Sequence, residues 1–238
     1  QYWDDLDKEE DLPKTSQPTL VEFKQRYDRY FEEGYAAVMV ITLSSSLSGT
    51  YNSAIIAAKE YGERIQVIDS KTASSAIALM VYRASELLAE GMDVLKAKDE
   101  LMKEIENKRF GAFFYVSNFN FLRKGGRVSR FASFVGTMLN LRVSIFINEN
   151  GEMIPFGKSR GTKKAQKLVI SKSHEFFPQG TKVRLTMVHS RNEEECENLL
   201  KMLKSEYEVV ESVYTPMGKV ISSHVGPGTA GFGIEKLS

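Results

Sequence analysis

Residues 38–58 read VMVITLSSSLSGTYNSAIIAA, an apolar run that ends in a hydroxyl-rich loop and opens into a helix. The run Val38–Leu43 predicts a strand buried on both faces, because it is apolar without alternation and rich in β-branched residues. The alanines and isoleucines of residues 54–58 lie at helical spacing and predict a helix over Tyr51–Tyr61. A strand that leads directly into a helix indicates an α/β fold.

The loop between this strand and helix is suited to binding an anion. Its residues are Ser44, Ser45, Ser46, Leu47, Ser48, Gly49 and Thr50. A helix N-terminus presents unpaired N–H groups and a partial positive charge. One hydroxyl is enough to cap a helix and the loop has five, so we favour a binding role over capping alone. The loop lacks the lysine of a P-loop and the Gly-x-Ser-x-Gly pattern of a hydrolase nucleophile, and it therefore predicts a binding cradle.

Strand and helix patterns alternate through the first half of the chain. The predicted strands are Ile65–Ile68 and Phe110–Val116, and the predicted helices are Thr19–Glu33, Ala73–Glu90 and Val94–Asn107. Helical crossovers between short buried strands predict a parallel sheet with helices on both faces. Ligands of such sheets bind at the carboxyl ends of the strands, where Ser44–Thr50 and Ser70–Ser75 fall.

The pattern becomes mixed after Gly126. Val128–Leu139 predicts a helix, and Asn150-Gly151 between two strand patterns predicts a hairpin. The hairpin strands are Val143–Ile147 and Glu152–Lys158, followed by the segment Thr162–Phe177, the strands Lys182–His189 and Glu208–Tyr214 and the helix Asn192–Lys204. We therefore predict a parallel-sheet α/β domain over residues 1–127 and a mixed α+β domain over residues 128–238, with a ligand cleft between them.

Three further segments carry polar residues that suit such a cleft. They contain the pair Thr15-Ser16, Arg127 in a Gly-Gly-Arg turn, and His224 on a predicted loop beside glycines. A histidine on such a loop can approach a ligand closely and titrates near neutral pH. Taken singly, each segment also fits a solvated turn or an exposed side chain.

Residues 226–231 match G-x-G-x-x-G, the pattern of dinucleotide-binding loops. That pattern binds a dinucleotide only when it follows a strand, opens a helix and precedes an acidic residue about 20 positions later. Seven residues follow residue 231, so we exclude a nicotinamide cofactor on this pattern.

Composition sets broad limits on function. The 238 residues are 42% hydrophobic, enough for a sizeable core, and the formal charge of +1 argues against a general nucleic-acid binder. One cysteine, Cys196, excludes an internal disulfide and favours a reducing cytoplasm. No run reaches the ~18 apolar residues of a membrane span. We expect no metal site.

Five motifs in order resemble the DegV family of bacterial fatty-acid-binding proteins over nearly the whole chain. They are TSQP at 15–18, SSSLSGTYNSA at 44–54, VIDSKTAS at 67–74, LRKGGRVS at 122–129 and HVGPG at 224–228. The family usually begins with a further strand that carries an Asp-Ser loop, so we expect the residues given to start inside a longer protein. Leu141-Arg142-Val143 stands where the family usually has Ile/Leu-Lys-Pro, a departure at the entry to a strand.

The resemblance implies a cleft that holds one long-chain fatty acid, with its tail buried and its carboxylate bound by hydroxyl and basic side chains. By motif position, Ser45 and Thr15 are the expected carboxylate ligands, although the three consecutive serines leave the choice open by one position. The full set of expected ligand-binding residues is Thr15, Ser16, Ser44, Ser45, Ser46, Gly49, Thr50, Arg127 and His224. No cofactor is expected beside the bound fatty acid.

The resemblance also implies a partner. In this family a separate ATP-dependent kinase subunit phosphorylates the bound acid to an acyl phosphate, so the chain is expected to have no activity alone. His224 is a candidate for stabilising that phosphoryl transfer. The basic residues Lys158, Arg160 and Lys163 are candidates for docking an acidic partner surface, and a solvated helix face explains them equally well.

Two other classes of function stay open at this point. A stand-alone enzyme acting on a phosphorylated small molecule would use the hydroxyl loop as a phosphate cradle and His224 as an acid or base. A purely interacting or regulatory protein would have a packed core in place of the cleft. The enzyme predicts turnover without a partner, and the interacting protein predicts no apolar cavity at the strand ends.

Overall fold

The computed structural model describes residues 12–127 and 141–237. The helices are α1 (Leu20–Glu32), α2 (Thr50–Ala58), α3 (Ala76–Ala89), α4 (Val94–Glu106), α5 (Phe119–Gly125), α6 (Thr162–Ser173), α7 (Glu193–Glu206) and α8 (Lys219–Val225). The strands are β1 (Val38–Thr42), β2 (Ile65–Asp69), β3 (Phe110–Val116), β4 (Leu141–Ile147), β5 (Met153–Arg160), β6 (Lys182–Ser190), β7 (Glu208–Pro216) and β8 (Thr229–Lys236). A 3₁₀ segment, Lys59–Arg64, joins α2 to β2.

The strands form two sheets. Strands β1 and β2 pair in parallel in a small sheet, and the larger sheet has the order β5-β4-β3-β8-β6-β7. Only its β6–β7 pair is parallel among the described strands of that sheet. The predicted α/β class, a parallel sheet accompanied by a mixed one, is confirmed. The predicted helix Val128–Leu139 lies outside the described residues.

Strand β3 belongs to the larger sheet. The alternation of strand and helix patterns in the sequence predicts that β3 joins β1 and β2 in one parallel sheet. In the structure, β3 pairs antiparallel with β4 and β8. Phe113 and Tyr115 pack with α6 and α7 while Phe114 and Val116 pack on the opposite face, so the strand is buried on both faces and its apolar pattern does not distinguish the two kinds of pairing. The first 127 residues therefore contribute to both sheets, and the division of the chain at residue 127 stays a prediction.

Local sequence explains where the helices begin. Helix α1 starts at Leu20 because Thr19 and Glu22 form a capping box. Helix α3 starts at Ala76, three residues later than predicted, because Ser74 has a φ of +60° and Lys71 a φ of +52°. Residues with such angles interrupt a right-handed helix, so the segment after β2 remains a loop.

Two short helices were not predicted, and one of them changes the position of His224. The prediction that His224 lies on a loop was wrong, because it lies in the last turn of α8, before Gly226 with its φ of +75°. Helix α5 lies shortly before Arg127. Its C-cap is Gly126, which adopts the left-handed conformation. Each helix has only seven residues, too short for a clear helical repeat in the sequence.

The described residues include no helix long and apolar enough to cross a membrane.

Candidate functional site

Thr15 and His224 form the centre of the candidate site. Thr15 precedes α1 and His224 lies in the last turn of α8, and the Thr15 Oγ1 and His224 Nε2 atoms lie 2.7 Å apart. Gly125 lies against the other side of the imidazole, where an added Cβ would be 2.7 Å from His224 Nδ1. That nitrogen is buried and has no hydrogen-bond partner within residues 12–127 and 141–237. Three segments that are distant in sequence therefore meet around one imidazole.

Arg127 connects this group to the hydroxyl loop. Its Nη1 donates to the carbonyl oxygen of Gly125 at 2.7 Å, and its Nε donates to the carbonyl oxygen of Leu47 at 3.4 Å. Burial lowers the pKa of His224, and the positive charge of Arg127 lowers it further. The histidine is therefore mainly neutral at pH 7, and Arg127 supplies the positive charge of the site.

The three consecutive serines have different environments. Ser44 is fully buried, and its Oγ accepts from the N–H of Ser46 at 3.2 Å. Ser46 is exposed and donates its hydroxyl to the carbonyl oxygen of Asn150 at 2.7 Å. Ser45 is half-buried, and its N–H donates to Asp69 Oδ1 at 3.2 Å. Ser44 and Ser46 thus hold the loop in place, and Ser45 joins it to Asp69.

Asp69 is a site residue that the sequence analysis missed. Its Oδ1 also accepts from the N–H of Lys71 at 3.0 Å, and its Oδ2 lies 2.9 Å from Lys71 Nζ. Burial acts to raise the pKa of Asp69, but hydrogen bonds from Ser45 and Lys71 outweigh it and the pKa is lowered. The parallel register that pairs Thr42 with Asp69 explains this position, since both strands end beside the loop.

The remaining predicted ligand residues lie around the start of α2. Gly49 is its N-cap, and Gln17 packs so closely there that a Cβ at Gly49 would overlap its side chain. Gln17 also donates to Ser53 Oγ at 3.0 Å. The Thr50 hydroxyl lies 2.8 Å from that of Ser48, and Ser16 is exposed beside Thr15. The segment before α1 is therefore held against the hydroxyl loop.

An apolar cavity lies between the start of α3, helix α8 and the larger sheet. Its lining includes Ala73, Ala76, Ala112, Phe114, Ile147, Met153, Val188, Met217, Ile221, Val225 and Gly233. Val225, which lines the cavity, follows His224 directly in α8. A second cavity shares Ala112 and Ile147 with the first.

The predicted docking residues lie in one exposed segment. Lys158 and Arg160 flank the buried Ser159 at the end of β5, and Lys163 follows in the first turn of α6. All three basic side chains are exposed. Among residues 12–127 and 141–237, no three His, Cys, Asp or Glu side chains lie together in a way that could hold a metal ion.

Comparison with known proteins gives consistent matches over the whole chain. The profile of the family described as "Uncharacterised protein, DegV family" matches residues 1–237. A fatty acid-binding protein of Thermotoga maritima is 53% identical over 229 residues, which cover 95% of this chain and 78% of that protein.

Two solved structures extend this likeness to the fold. A DegV lipid binding protein from Thermotoga maritima has a TM-score of 0.94 and 48% identity, covering all of this chain and 82% of that one. A DegV family protein from Thermus thermophilus, described by its fatty acid binding, has a TM-score of 0.85 and 34% identity, covering 94% of this chain and 79% of that one.

Proposed function

This chain belongs to the DegV family, and we propose that it is a carrier that binds one long-chain fatty acid. The observation that carries the proposal is that neighbouring residues of α8 belong to a polar group and to the lining of an apolar cavity. His224, Thr15 and Arg127 form the polar group, and Val225, the next residue of α8, is one of the residues that line the cavity. An amphipathic acid with one charged end fits this pair of environments.

The carboxylate is proposed to lie between Arg127, Thr15 and Ser45. Arg127 offers the positive charge, and the hydroxyls of Thr15 and Ser45 can donate hydrogen bonds. A hydrogen bond to a charged group contributes about 1.5–3 kcal/mol net. Relatives support the ligand class, because the Thermotoga maritima and Thermus thermophilus proteins are described as binding lipid or fatty acid.

The tail is proposed to lie in the apolar cavity and to supply most of the affinity. Each buried CH₂ contributes about 0.8 kcal/mol, so a tail of roughly 14 methylenes contributes on the order of 11 kcal/mol before the costs of binding. This exceeds the contribution of the polar contacts. The cavity also argues against a purely interacting protein with a packed core, which predicts no such space.

Mass spectrometry of the purified protein tests this proposal. An organic extract and the native intact mass should show about one fatty acid per chain, and the extract identifies the tail. A protein that purifies without lipid and takes up no added fatty acid would refute the carrier, and turnover of a phosphorylated small molecule without a partner would support the enzyme alternative.

We further propose that the bound acid is presented to a separate ATP-dependent kinase subunit. In that step a carboxylate oxygen attacks the γ-phosphorus of ATP, the new O–P bond forms, and ADP leaves with the electrons of the broken P–O bond. The exposed row of Lys158, Arg160 and Lys163 supports a contact with an acidic surface. We propose that His224, which contacts Thr15, takes part in stabilising the developing acyl phosphate.

Reversing the charge of the proposed docking row tests this second step. Arg160→Glu should slow acyl phosphate formation by a fatty acid kinase subunit, measured by trapping with hydroxylamine, while fatty acid binding is unchanged. Arg29→Glu is the matched control, because Arg29 is an exposed arginine on α1 that pairs only with the exposed Glu33 among the ion pairs seen in residues 12–127 and 141–237. Equal slowing by both variants, or by neither, would remove the basic row from the partner interface.

A further inference from the structure

Helix α8, which carries His224, is held at its C-terminal end by hydroxyl groups. The last carbonyl oxygens of a helix have no partner inside the helix. The Val225 oxygen accepts from Thr229 Oγ1 at 3.0 Å. The Gly226 oxygen accepts from Ser190 Oγ at 2.8 Å. Because a helix of seven residues has little stability of its own, these contacts with the larger sheet set where α8 ends.

Gly228, in the turn that follows α8, is held by side chains from two other parts of the chain. Its carbonyl oxygen accepts from Ser117 Oγ, which lies directly after β3, at 2.7 Å. The same oxygen accepts from Asn192 Nδ2, at the N-cap of α7, at 3.0 Å. An added Cβ on Gly228 would lie 2.7 Å from Ser117 Oγ, so the turn and the hydroxyl are in direct contact. The turn after His224 is thus fixed from several sides.

The Glu195 carboxylate organises both donors to Gly228. Asn192 Nδ2 donates to Glu195 Oε2 at 2.7 Å. Arg142 donates from Nη1 to Ser117 Oγ and from Nη2 to Glu195 Oε1, the latter at 2.7 Å. Because an arginine nitrogen can only donate, it leaves the Ser117 proton free to point at the Gly228 oxygen.

Glu195 accepts hydrogen bonds at both of its oxygens. The four donors come from β4, β3, α6 and the N-cap of α7, and they are Arg142, Tyr115, Thr162 and Asn192. The Glu195 side chain is 23% exposed. An ionised carboxylate suits these donors because its oxygens only accept, and hydrogen bonds to a charged acceptor are stronger than neutral ones. Glu195 therefore holds four separate elements in one arrangement.

We propose that Glu195 is a positioning residue for His224, a role that rests on the proposed fatty acid binding. It acts through the two donors that hold Gly228, and the turn at Gly228 sets the place where the imidazole meets Thr15. Without the carboxylate the end of α8 shifts, and the bound acid loses the contribution of the imidazole.

Glu195→Gln tests this role while it keeps the size of the side chain. One carboxylate oxygen becomes an amide nitrogen that faces hydrogen-bond donors, so one part of the network is lost. Displacement of a fluorescent fatty acid should show binding about tenfold weaker than in the wild type. Glu194→Gln removes an exposed charge from the same turn of α7 and is the matched control, which should bind as the wild type does.

A double-mutant cycle with His224→Gln separates positioning from a general loss of structure. His224→Gln alone should weaken binding about tenfold. In that background Glu195→Gln should weaken binding by less than a further twofold, because no imidazole is left to position. Equal weakening in both backgrounds, no weakening by Glu195→Gln, an equal loss in Glu194→Gln, or a His224→Gln variant that binds as the wild type does would overturn the positioning role.

A second variant keeps the test decisive if Glu195→Gln does not fold. Ser117→Ala removes one donor to Gly228 and leaves the ion pair between Arg142 and Glu195 in place. It should weaken binding in the wild type and have little effect in the His224→Gln background, and the same weakening in both would overturn the role. A wild type that takes up no fatty acid would overturn the proposed function itself.

Discussion

Thr15 and His224 are separated by 209 positions in the chain, and their side chains meet at 2.7 Å. The contact joins the segment before α1 to the end of α8, so it depends on the complete arrangement of both sheets. The contact also gives the imidazole a defined orientation. On its other side the ring packs against Gly125, a position with no room for a Cβ atom. The hydroxyl and the imidazole are expected to act together on a bound carboxylate.

Thr15→Val tests that expectation. The substitution keeps the shape of the side chain and removes the hydroxyl, so it should weaken fatty acid binding about 10- to 100-fold, the effect of losing a hydrogen bond to a charged group. Isothermal titration with palmitate measures the change. Thr181→Val, at the remote start of β6, is the control and should bind as the wild type does. Unchanged binding in Thr15→Val would place the carboxylate elsewhere.

The serine loop gives a second prediction. Ser45→Ala should weaken fatty acid binding about 10- to 100-fold without abolishing it, because the tail remains buried. Ser46→Ala should change the affinity by no more than about twofold, since that hydroxyl is exposed and donates to Asn150. Displacement of a fluorescent fatty acid compares the two variants. If Ser46→Ala weakened binding and Ser45→Ala did not, the carboxylate contact would be assigned to Ser46.

Much of this site follows from the sequence, because its polar residues lie in short local motifs. The hydroxyl loop after β1 is predicted from a buried strand that leads directly into a helix, and the structure forms both elements. The partnership of Thr15, Arg127 and His224 comes from the family resemblance, since no local pattern links residues so far apart. Asp69 was missed because its role depends on the register between two strands.

The parts that the sequence did not predict depend on contacts between distant residues. Strand β3 has the apolar pattern of a parallel strand, but its pairing with β4 and β8 is decided by partners far along the chain. Helices α5 and α8 are too short to show a repeat. The cavity is lined by ordinary apolar residues such as Ala112 and Val188, whose role appears only when α3 covers them.

Gly125 gives a third prediction. Gly125→Ala adds a methyl group 2.7 Å from His224 Nδ1, closer than a carbon atom can approach, so the imidazole must shift and its contact with Thr15 is disturbed. Fatty acid affinity should fall about tenfold, with a change in melting temperature of only a few degrees. Gly218→Ala adds the same methyl group into open space before α8 and should have little effect on either quantity. Equal affinity in both variants would show that the imidazole position is unimportant.

The pH dependence of His224 follows from its surroundings. Burial lowers its pKa below the ordinary value of 6.5, and Arg127 lowers it further. Between these two pKa values the unfolded chain binds a proton that the folded chain does not, so stability rises with pH in this window. The contribution of neutral His224 to the stability of the folded chain is fully present above about pH 6.5. It is lost as the pH falls toward the lowered pKa of His224 in the folded state.

The ligand-free protein should therefore lose stability between pH 7.5 and pH 5.5, and part of that loss should come from His224. His224→Gln cannot take up the proton, so its melting temperature should fall less than that of the wild type over the same range. His174→Gln removes a different histidine at the end of α6 and leaves His224 in place. Its melting temperature should therefore still include the fall that comes from His224. Thermal unfolding followed by circular dichroism at each pH measures the three proteins. A His224→Gln curve that falls as steeply as the wild type would mean that the histidine titrates equally in the folded and unfolded chain, contrary to its burial beside Arg127.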